Sequence, residues 1–287
     1  MYFYILDAGR ERENKYLERI QGRLLNLLGE FHIEGEYYRV TSIRSVELLV
    51  EQAVNLEAKT IVAVGSDATL NKTINALLRK KTDLVVGFIP LDEGAALGKI
   101  LGMSLEVEQA VKTLSGRLIA DLDLGQIGEH YFVSRVDLGP TPLTAVKPGF
   151  LGLSGIRTLL KLEPFPVQLS LEKSYTLTSE VLGVQIINCR DNENCKLKLG
   201  NPTDGLLDIL VLNKLSGAQI VRHRRELESG CLDNVPGTTV MHAKRIEILG
   251  PRKLPLQIEG QVYTKAPAIV SVAKQKIKMI VGKGRQF

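Results

Sequence analysis

Apolar positions in the first hundred residues alternate between short continuous runs and stretches with helical spacing. The continuous runs predict strands, because strands of a parallel sheet are buried on both faces. They cover 2–6, 36–40, 60–64 and 84–90. Apolar residues recurring every three or four positions predict helices between them. These helices cover 11–28, 43–57, the stretch after Gly65, and 93–101. Strands and helices joined by short connections are typical of βαβ units, so we expect an N-terminal parallel α/β domain.

The pattern changes after about residue 117, where strand-like segments separated by Gly, Pro and Asn turns dominate. The predicted strands cover 118–126, 130–138, 166–172, 174–179, 181–188, 206–212, 244–249, 254–259 and 268–273. Two helix candidates, 153–162 and 216–229, interrupt them. This alternation predicts a C-terminal antiparallel β-sandwich domain. A cleft between two such domains is the expected place for a ligand.

Composition narrows the range of partners. The chain has 287 residues, 44% of them apolar, which is enough for two hydrophobic cores. Trp is absent and aromatic residues make up 5%, so base-stacking surfaces are scarce and we expect no nucleic-acid partner. The net charge of +5 is a mild excess that allows attraction to nucleotides or anionic lipids.

Targeting signals and cysteines favour a cytoplasmic protein. The N-terminus is apolar first and charged from Arg10, the reverse of a signal peptide, and no stretch reaches the roughly 18 apolar residues of a membrane span. The three cysteines, Cys189, Cys195 and Cys231, form no CxxC pair. Their odd number suits a reducing cytosol.

One turn carries candidate chemistry. The segment Val64–Asn71, VGSDATLN, ends a predicted buried strand and opens a helix. Backbone N–H groups at a helix start attract phosphate oxygens, and Thr69 can both cap the helix and bond a phosphate. Asp67 could orient a lysine, bind a metal or accept a proton. An ordinary βα turn with a good N-cap is the alternative interpretation.

Six segments in a fixed order resemble the diacylglycerol kinase catalytic-domain family, which is related to sphingosine and NAD kinases. The turn at Gly65 resembles the family's GGDGTLNE motif, and residues 89–102 resemble its IPLGTGNDFARxLG motif. Asp123-Leu124-Gly125, Asn188, Asp204-Gly205-Leu206-Leu207-Asp208 and Glu259-Gly260-Gln261 follow at the family's further motif positions. The resemblance covers nearly the whole chain.

The resemblance implies an ATP-binding α/β domain and a β-sandwich that helps to bind a lipid, with the reaction in the cleft between them. It implies domains 1–121 and 122–275, with 276–287 returning to the first domain. The expected activity is phosphoryl transfer from ATP, with Mg²⁺, to a lipid hydroxyl such as that of diacylglycerol.

The same resemblance assigns roles to individual residues. It implies nucleotide binding by the first two motifs, at Gly65, Ser66, Asp67, Thr69, Asn71 and Gly94. It implies that Glu259 acts as general base, with Asp67 as a second catalytic carboxylate, and that Asp204 and Asp123 bind metal.

Departures from the family pattern fall on the residues that contact phosphate. Ser66 and Ala68 replace glycines, and a β-carbon there crowds a phosphate. The family's Gly-Thr-Gly-Asn-Asp reads Asp-Glu-Gly-Ala-Ala over 92–96, which places two carboxylates near the phosphates. Three hypotheses therefore stay open. They are a lipid kinase of reduced activity, an inactive relative that binds a lipid, nucleotide or protein, and a kinase for another acceptor such as NAD.

Surface features bear on the partners. The predicted helix at 153–162 is amphipathic, and basic clusters lie at 222–225 and 274–285. They fit either a lipid or membrane surface, with the protein peripheral at the membrane, or a packed helix and solvated faces. A homodimer through the β domain is a further expectation that the sequence does not test.

Overall fold

The computed structural model describes residues 1–7, 14–92, 95–139, 163–258 and 261–287. The chain divides into two compact units. Unit 1 comprises Met1–Asp123 with Lys274–Phe287, and unit 2 comprises Leu124–Ala273. The segments 8–13, 93–94, 140–162 and 259–260, which include Gly94, Glu259 and the helix predicted at 153–162, lie outside the described residues. No described helix is both long enough and apolar enough to cross a membrane.

Unit 1 is built on a six-stranded sheet with the strand order β2-β1-β3-β4-β17-β5. Its strands are β1 Tyr2–Leu6, β2 Gly35–Arg39, β3 Thr60–Gly65, β4 Val85–Pro90, β5 Ile119–Leu122 and β17 Ile277–Ile280. Neighbouring strands are parallel except β5, which runs antiparallel to β17. Every residue of β3 and β4 is buried, as their continuous apolar runs predicted. The parallel α/β prediction is therefore confirmed.

The helices of unit 1 follow the strands in alternation. They are α1 Asn14–Glu30, α2 Val46–Asn55, α3 Asp67–Lys80, α4 Ala96–Ile100 and α5 Val107–Gly116. Serine side chains cap two of them, because Ser45 accepts from the backbone N–H of Leu48 in α2 and Ser66 accepts from that of Thr69 in α3. Our sequence reasoning missed α5 and made α4 too long.

Unit 2 contains an 11-stranded, antiparallel sheet. The strands are β6 Gly125–Ile127, β7 His130–Phe132, β8 Arg135–Leu138, β9 Phe165–Leu171, β10 Tyr175–Ile187, β11 Leu207–Asn213, β12 Thr238–Ala243, β13 Arg245–Gly250, β14 Pro255–Ile258, β15 Gln261–Lys265 and β16 Ala268–Val272. Two short helices, α6 Gly217–Arg222 and α7 Arg224–Ser229, replace the single helix predicted over 216–229. The antiparallel β prediction is confirmed, and β12 and β15 are strands that the sequence reasoning missed.

Strand β10 shows why one prediction was wrong. It was predicted as two strands, but it is continuous over 13 residues. Its first half pairs with β9 and is partly exposed, whereas its second half pairs with β8 and β11 and is buried. The register shifts between Val181 and Gly183, which marks a bulge. The polar residues before Val181 therefore reflect a change of neighbours, not a turn.

Hydrophobic side chains cover both faces of the second half of β10. Val181, Val184 and Ile186 belong to the main core of unit 2. Leu182 and Ile187 belong to a smaller cluster formed with residues of β11 and the two short helices. The sheet is therefore covered on both faces at its centre.

A disulfide that the sequence analysis did not predict joins two of the three cysteines. The structure pairs Cys195 with Cys231 in a disulfide, 36 residues apart in sequence, and leaves Cys189 as a buried free thiol. The pair was missed because neither short-range spacing nor an even count pointed to it. The disulfide therefore joins the segment that follows β10 to the segment that follows the two short helices.

Candidate functional site

The turn between β3 and α3 forms the centre of the candidate site in unit 1. Gly65 ends β3 in close contact with two neighbours. A methyl group at this position would lie 2.6 Å from the carbonyl oxygen of Asp7 and 2.8 Å from Oγ1 of Thr69. Since one of these atoms belongs to the backbone, the turn cannot easily shift. Glycine is therefore required here by close approach.

Hydroxyl groups and one carboxylate fix this turn from within. Oγ of Ser66 accepts from the backbone N–H of Thr69 at 3.4 Å and lies 3.2 Å from the Thr69 hydroxyl. The Thr69 hydroxyl donates to Oδ2 of Asp7 at 2.9 Å. The backbone N–H of Asp7 in turn donates to the carbonyl of Val64, which ties the end of β1 to the end of β3. The sequence indicated Ser66 as a lost glycine, and the structure shows it as the helix cap.

Asp67 links the β3–α3 turn to the start of α4, the two segments for which the resemblance implies nucleotide binding. Its Oδ2 accepts from the backbone N–H of Leu97 at 3.1 Å, at the start of α4. Oδ1 is buried, and none of the described residues forms a hydrogen bond with it. Burial raises the pKa of Asp67 from 3.8 to about 6, with a further rise from the charge of Asp92, while amide hydrogen bonds from Leu97 and Ala96 oppose it. Asp67 is therefore a carboxyl group that titrates close to neutral pH.

The start of α3 also keeps donors for a ligand. The first amides of a helix have no intrahelical acceptor, and Ser66 satisfies only that of Thr69. No hydrogen bond from the backbone amides of Asp67 and Ala68 is found among the described residues. Asn71, one turn further on, is buried, and neither polar atom of its side-chain amide has a partner in that part of the chain. The amides of Asp67 and Ala68 fit the oxygen atoms of a phosphate, whereas nucleotide binding by the buried Asn71 stays a prediction.

The predicted metal ligands have different surroundings. Asp123 is buried, and its Oδ1 lies 3.0 Å from Nζ of Lys276, which balances its charge. Asp204 accepts from the backbone N–H of Leu206 at 2.9 Å within its own turn. Within the described ranges, no group of three or more His, Cys, Asp or Glu side chains is arranged to hold a metal. Metal binding by Asp123 and Asp204 stays a prediction.

The segment leading to Asp204, residues 190–203, is held in place by hydrogen bonds and an ion pair within unit 2. The buried Arg190 and Asp233 form an ion pair with 2.9 Å between Nη2 and Oδ1. Asp233 also accepts from the backbone N–H of Leu197 at 2.6 Å. At the other end, Asp208 accepts from the backbone N–H of Gly200 at 2.6 Å and forms a short contact with His242. These pairs, Arg190 with Asp233 and Asp208 with His242, are 34 or more residues apart in sequence. They therefore form no local motif that sequence analysis could identify.

Sequence reasoning also missed Asp7 in the candidate site. It directly follows the buried strand β1, and the carboxyl ends of parallel strands lie at one edge of a sheet. That signal was available, since Asp7 and Gly65 both end strands that pair in register. The described structure thus brings together Asp7, Gly65, Ser66, Asp67 and Thr69.

Comparisons with known proteins agree with this architecture. Residues 2–127 match the family model described as the diacylglycerol kinase catalytic domain. Residues 199–281 match that of the YegS C-terminal NAD kinase beta sandwich-like domain. A diacylglycerol kinase of Bacillus subtilis (strain 168) is 23% identical over 275 residues, covering 88% of this chain and 86% of the relative. A probable lipid kinase YegS-like protein of Yersinia pestis (strain Pestoides F) is 34% identical over 89 residues, 30% of each chain.

Solved structures show the same fold. A putative diacylglycerol kinase from Bacillus anthracis str. Sterne superposes with a TM-score of 0.79 at 16% identity, covering 98% of this chain and 97% of that one. A second structure of a diacylglycerol kinase from the same strain gives a TM-score of 0.76 at 14% identity with the same coverage. The first model matches the N-terminal segment of unit 1 and the first strand of unit 2, and the second matches the second half of unit 2 and the start of the C-terminal segment. This chain therefore pairs a segment of the diacylglycerol kinase catalytic-domain family, residues 2–127, with a segment of the YegS C-terminal domain family, residues 199–281.

Proposed function

We propose that this protein transfers the γ-phosphoryl group of ATP to the hydroxyl group of a lipid, at a reduced rate. The observation that carries the proposal is the β3–α3 turn. There Gly65 is packed too closely for a side chain, and the amides of Asp67 and Ala68 at the start of a 14-residue helix have no protein acceptor in the described structure. Such amides and the helix dipole attract phosphate oxygens.

We expect a reduced rate because two hydrogen-bond donors of the turn are already used within the protein. The backbone N–H of Thr69 donates to the Ser66 side chain, and the Thr69 hydroxyl donates to Asp7. Each is a donor that could otherwise reach a phosphate. A lost donor to a transferring group typically costs about 2.7–4 kcal/mol of transition-state stabilisation. Binding of the nucleotide can therefore persist while turnover falls.

Charge at the site makes a divalent cation necessary. Asp7 and Asp67 lie at the turn, and the charge of Asp92 acts on Asp67. A bare triphosphate would be repelled by these carboxylates, at about 4 kcal/mol per pair of charges 4 Å apart in a partly polar medium. Mg²⁺ bound with ATP would neutralise phosphate charge, and carboxylate oxygens are ligands that it prefers. We infer that MgATP, not free ATP, is the form that binds.

The choice of a lipid hydroxyl as acceptor rests on the similarity to known kinases. The Bacillus relatives are named diacylglycerol kinases, and we take a lipid hydroxyl of that kind as the acceptor. Glu259 is proposed as the general base toward that hydroxyl because it occupies the corresponding family motif. NAD is the competing acceptor, since the model matching residues 199–281 carries NAD kinase in its description.

A second candidate function has its own observation. Oδ2 of Asp67 accepts from the backbone of α4, and Ser66 fills the cap position, so protein groups already engage two side chains that could otherwise serve a ligand. This arrangement suits a relative that binds a nucleotide or lipid but does not catalyse transfer. The two functions differ only in turnover, which makes them separable by one assay.

Transfer of radiolabelled phosphate from MgATP to defined acceptors tests the proposal. We expect label in diacylglycerol presented in mixed micelles and none in NAD. We expect at least a hundredfold loss in Glu259→Gln, because general-base catalysis contributes about 10²–10⁴-fold. Label in NAD alone would assign the other acceptor. Absence of label in every acceptor, with MgATP still bound, would establish the non-catalytic function.

A further inference from the structure

A groove of ≈ 560 Å³ crosses the surface of unit 2. Its walls include strands from opposite ends of the sheet, whose order is β15-β14-β8-β10-β9-β13-β16-β6-β7. Strand β15 lies at one end of this order, and the β6–β7 turn lies at the other. Apolar side chains dominate the lining, which includes Ile127, Leu249, Tyr263, Pro267 and Ile269. The groove shares no residue with the β3–α3 turn or with the segment leading to Asp204.

The apolar side chains around the groove are unusually exposed. Leu249 is 41% exposed, Val262 56%, Tyr263 44% and Ile269 42%. Leu249, Tyr263 and Ile269 line the groove, from strands β13, β15 and β16, and Val262 is the neighbour of Tyr263 on β15. Exposed apolar side chains that converge on one groove are a feature of interaction sites, whereas scattered ones are ordinary.

Positive charge borders this patch. Arg252 and Lys253 lie in the turn between β13 and β14, and Lys265 ends β15, and all three side chains are exposed. The two segments meet, since the backbone N–H of Lys253 donates to the carbonyl of Ala266 at 3.0 Å, next to Pro267 in the groove wall. No carboxylate pairs with these three cations in the part of the chain that the structure describes.

Acidic groups near the groove do not cancel this charge. Glu247 lines the groove, but its Oε1 lies 3.1 Å from Nη2 of Arg245. Glu129 lies in the β6–β7 turn beside Gly128. Its single carboxylate does not balance the three positive charges of Arg252, Lys253 and Lys265. Exposed apolar side chains bordered by lysine and arginine are the combination that binds anionic lipid surfaces.

We propose that this face of unit 2, the groove with Arg252, Lys253 and Lys265, docks on membranes that contain anionic lipid. The cations contact lipid headgroups, and Leu249, Val262, Tyr263 and Ile269 enter the interface. The charge pattern favours this occupant over a second copy of the chain, because a symmetric contact through this face would bring the same three cations together. The proposal does not depend on kinase activity, since docking is measured without nucleotide.

Vesicle co-sedimentation of the full chain measures the docking. We expect binding to vesicles of phosphatidylcholine and phosphatidylglycerol in equal parts, and little binding to phosphatidylcholine alone. The triple variant Arg252→Glu, Lys253→Glu, Lys265→Glu should weaken that binding by about a hundredfold or more, because each cation near an anionic surface contributes about fivefold.

A matched triple variant separates this face from general charge attraction. Arg222→Glu, Arg224→Glu and Arg225→Glu change the net charge equally, in the same unit, at a basic cluster that does not line the groove. We expect this control to weaken binding by less than about fivefold, through the lower net charge alone. Equal loss in the two triple variants would overturn the assignment of this face.

A fluorescence reporter tests insertion directly, because the chain contains no tryptophan. Tyr263→Trp places one indole beside the groove, and Tyr175→Trp places one at an exposed position outside it. On addition of the anionic vesicles we expect a blue shift and quenching by brominated lipid for the indole at 263, and neither for that at 175. An unshifted spectrum at 263 with bound protein would overturn the proposal, as would self-association that buries the indole without lipid.

Discussion

Asp67→Asn is expected to raise the free energy of unfolding by about 1–3 kcal/mol at neutral pH. Burial raises the pKa of Asp67 from 3.8 to about 6, so the folded state is penalised once this carboxyl group ionises. Each pKa unit corresponds to about 1.4 kcal/mol, and the range allows for the partial exposure of the side chain. Asparagine keeps an oxygen that can accept from the N–H of Leu97, so the link to α4 survives.

The gain has a defined pH dependence. The pKa of Asp67 is higher in the folded than in the unfolded protein, so between these two values the folded protein holds a proton that the unfolded protein has lost. The free energy of unfolding of the wild type therefore falls as pH rises from about 4 to about 6. The difference between Asp67→Asn and the wild type should therefore be near zero below pH 4 and reach its full size above about pH 6.5. Urea unfolding at several pH values measures this difference.

A control variant isolates the effect of burial. Asp121→Asn removes an equal charge from an exposed position on β5 and should change stability by less than about 0.5 kcal/mol. A stabilisation of Asp67→Asn that does not vary with pH would show that the carboxyl group is not the cause. Loss of stability at neutral pH would contradict the burial argument itself. The stabilising effect of removing Asp67 is what a functional carboxylate in a strained setting would show.

Asp233→Ala is expected to destabilise the protein by about 3–5 kcal/mol. The ion pair of Arg190 and Asp233 is buried, with side chains 3% and 0% exposed. Removing Asp233 leaves the guanidinium of Arg190 buried without its counter-charge, which is the costly outcome for a buried pair. The backbone N–H of Leu197 also loses its acceptor. Denaturant unfolding under non-reducing conditions measures the loss while the disulfide of Cys195 and Cys231 stays closed.

An exposed ion pair provides the comparison. Glu51→Ala breaks the contact with Lys80, which is 2.8 Å long but has side chains 48% and 43% exposed, and should cost less than about 1 kcal/mol. The double variant Arg190→Met, Asp233→Leu should recover part of the stability, because an apolar pair carries no desolvation penalty while the backbone of Leu197 still lacks its partners. A loss in Asp233→Ala no larger than that in Glu51→Ala would show that the buried pair does not anchor the segment leading to Asp204.

The fold could be predicted further than the site. Continuous apolar runs located β3 and β4, because burial on both faces leaves a direct mark on sequence. Strand β15 was missed because its residues are largely exposed at the edge of the sheet and carry no alternation. The long strand β10 was split because its neighbours change midway, which sequence periodicity does not record.

At the site, sequence identified positions but not their partners. The resemblance pointed to Gly65 and Asp67, and the structure places both in one turn. Ser66 was interpreted as a nucleotide-binding position whose β-carbon crowds a phosphate, and Thr69 as the helix cap. Serine is also a preferred N-cap, and Ser66, not Thr69, caps α3. Asp7 was missed because its contact with Thr69 spans 62 residues. Contacts of this kind depend on the register of β1 against β3, which only the folded chain defines.

The central claim is that the β3–α3 turn binds the phosphates of MgATP, and calorimetric titration tests it most directly. We expect wild-type protein to bind MgATP with a Kd below about 1 mM, and Asp67→Ala to bind at least tenfold more weakly, a loss of about 1.4 kcal/mol. Titration with ATP and excess EDTA should show weaker binding as well, because the carboxylates repel a bare triphosphate. Absence of binding by the wild type, or equal binding by Asp67→Ala, would contradict the account.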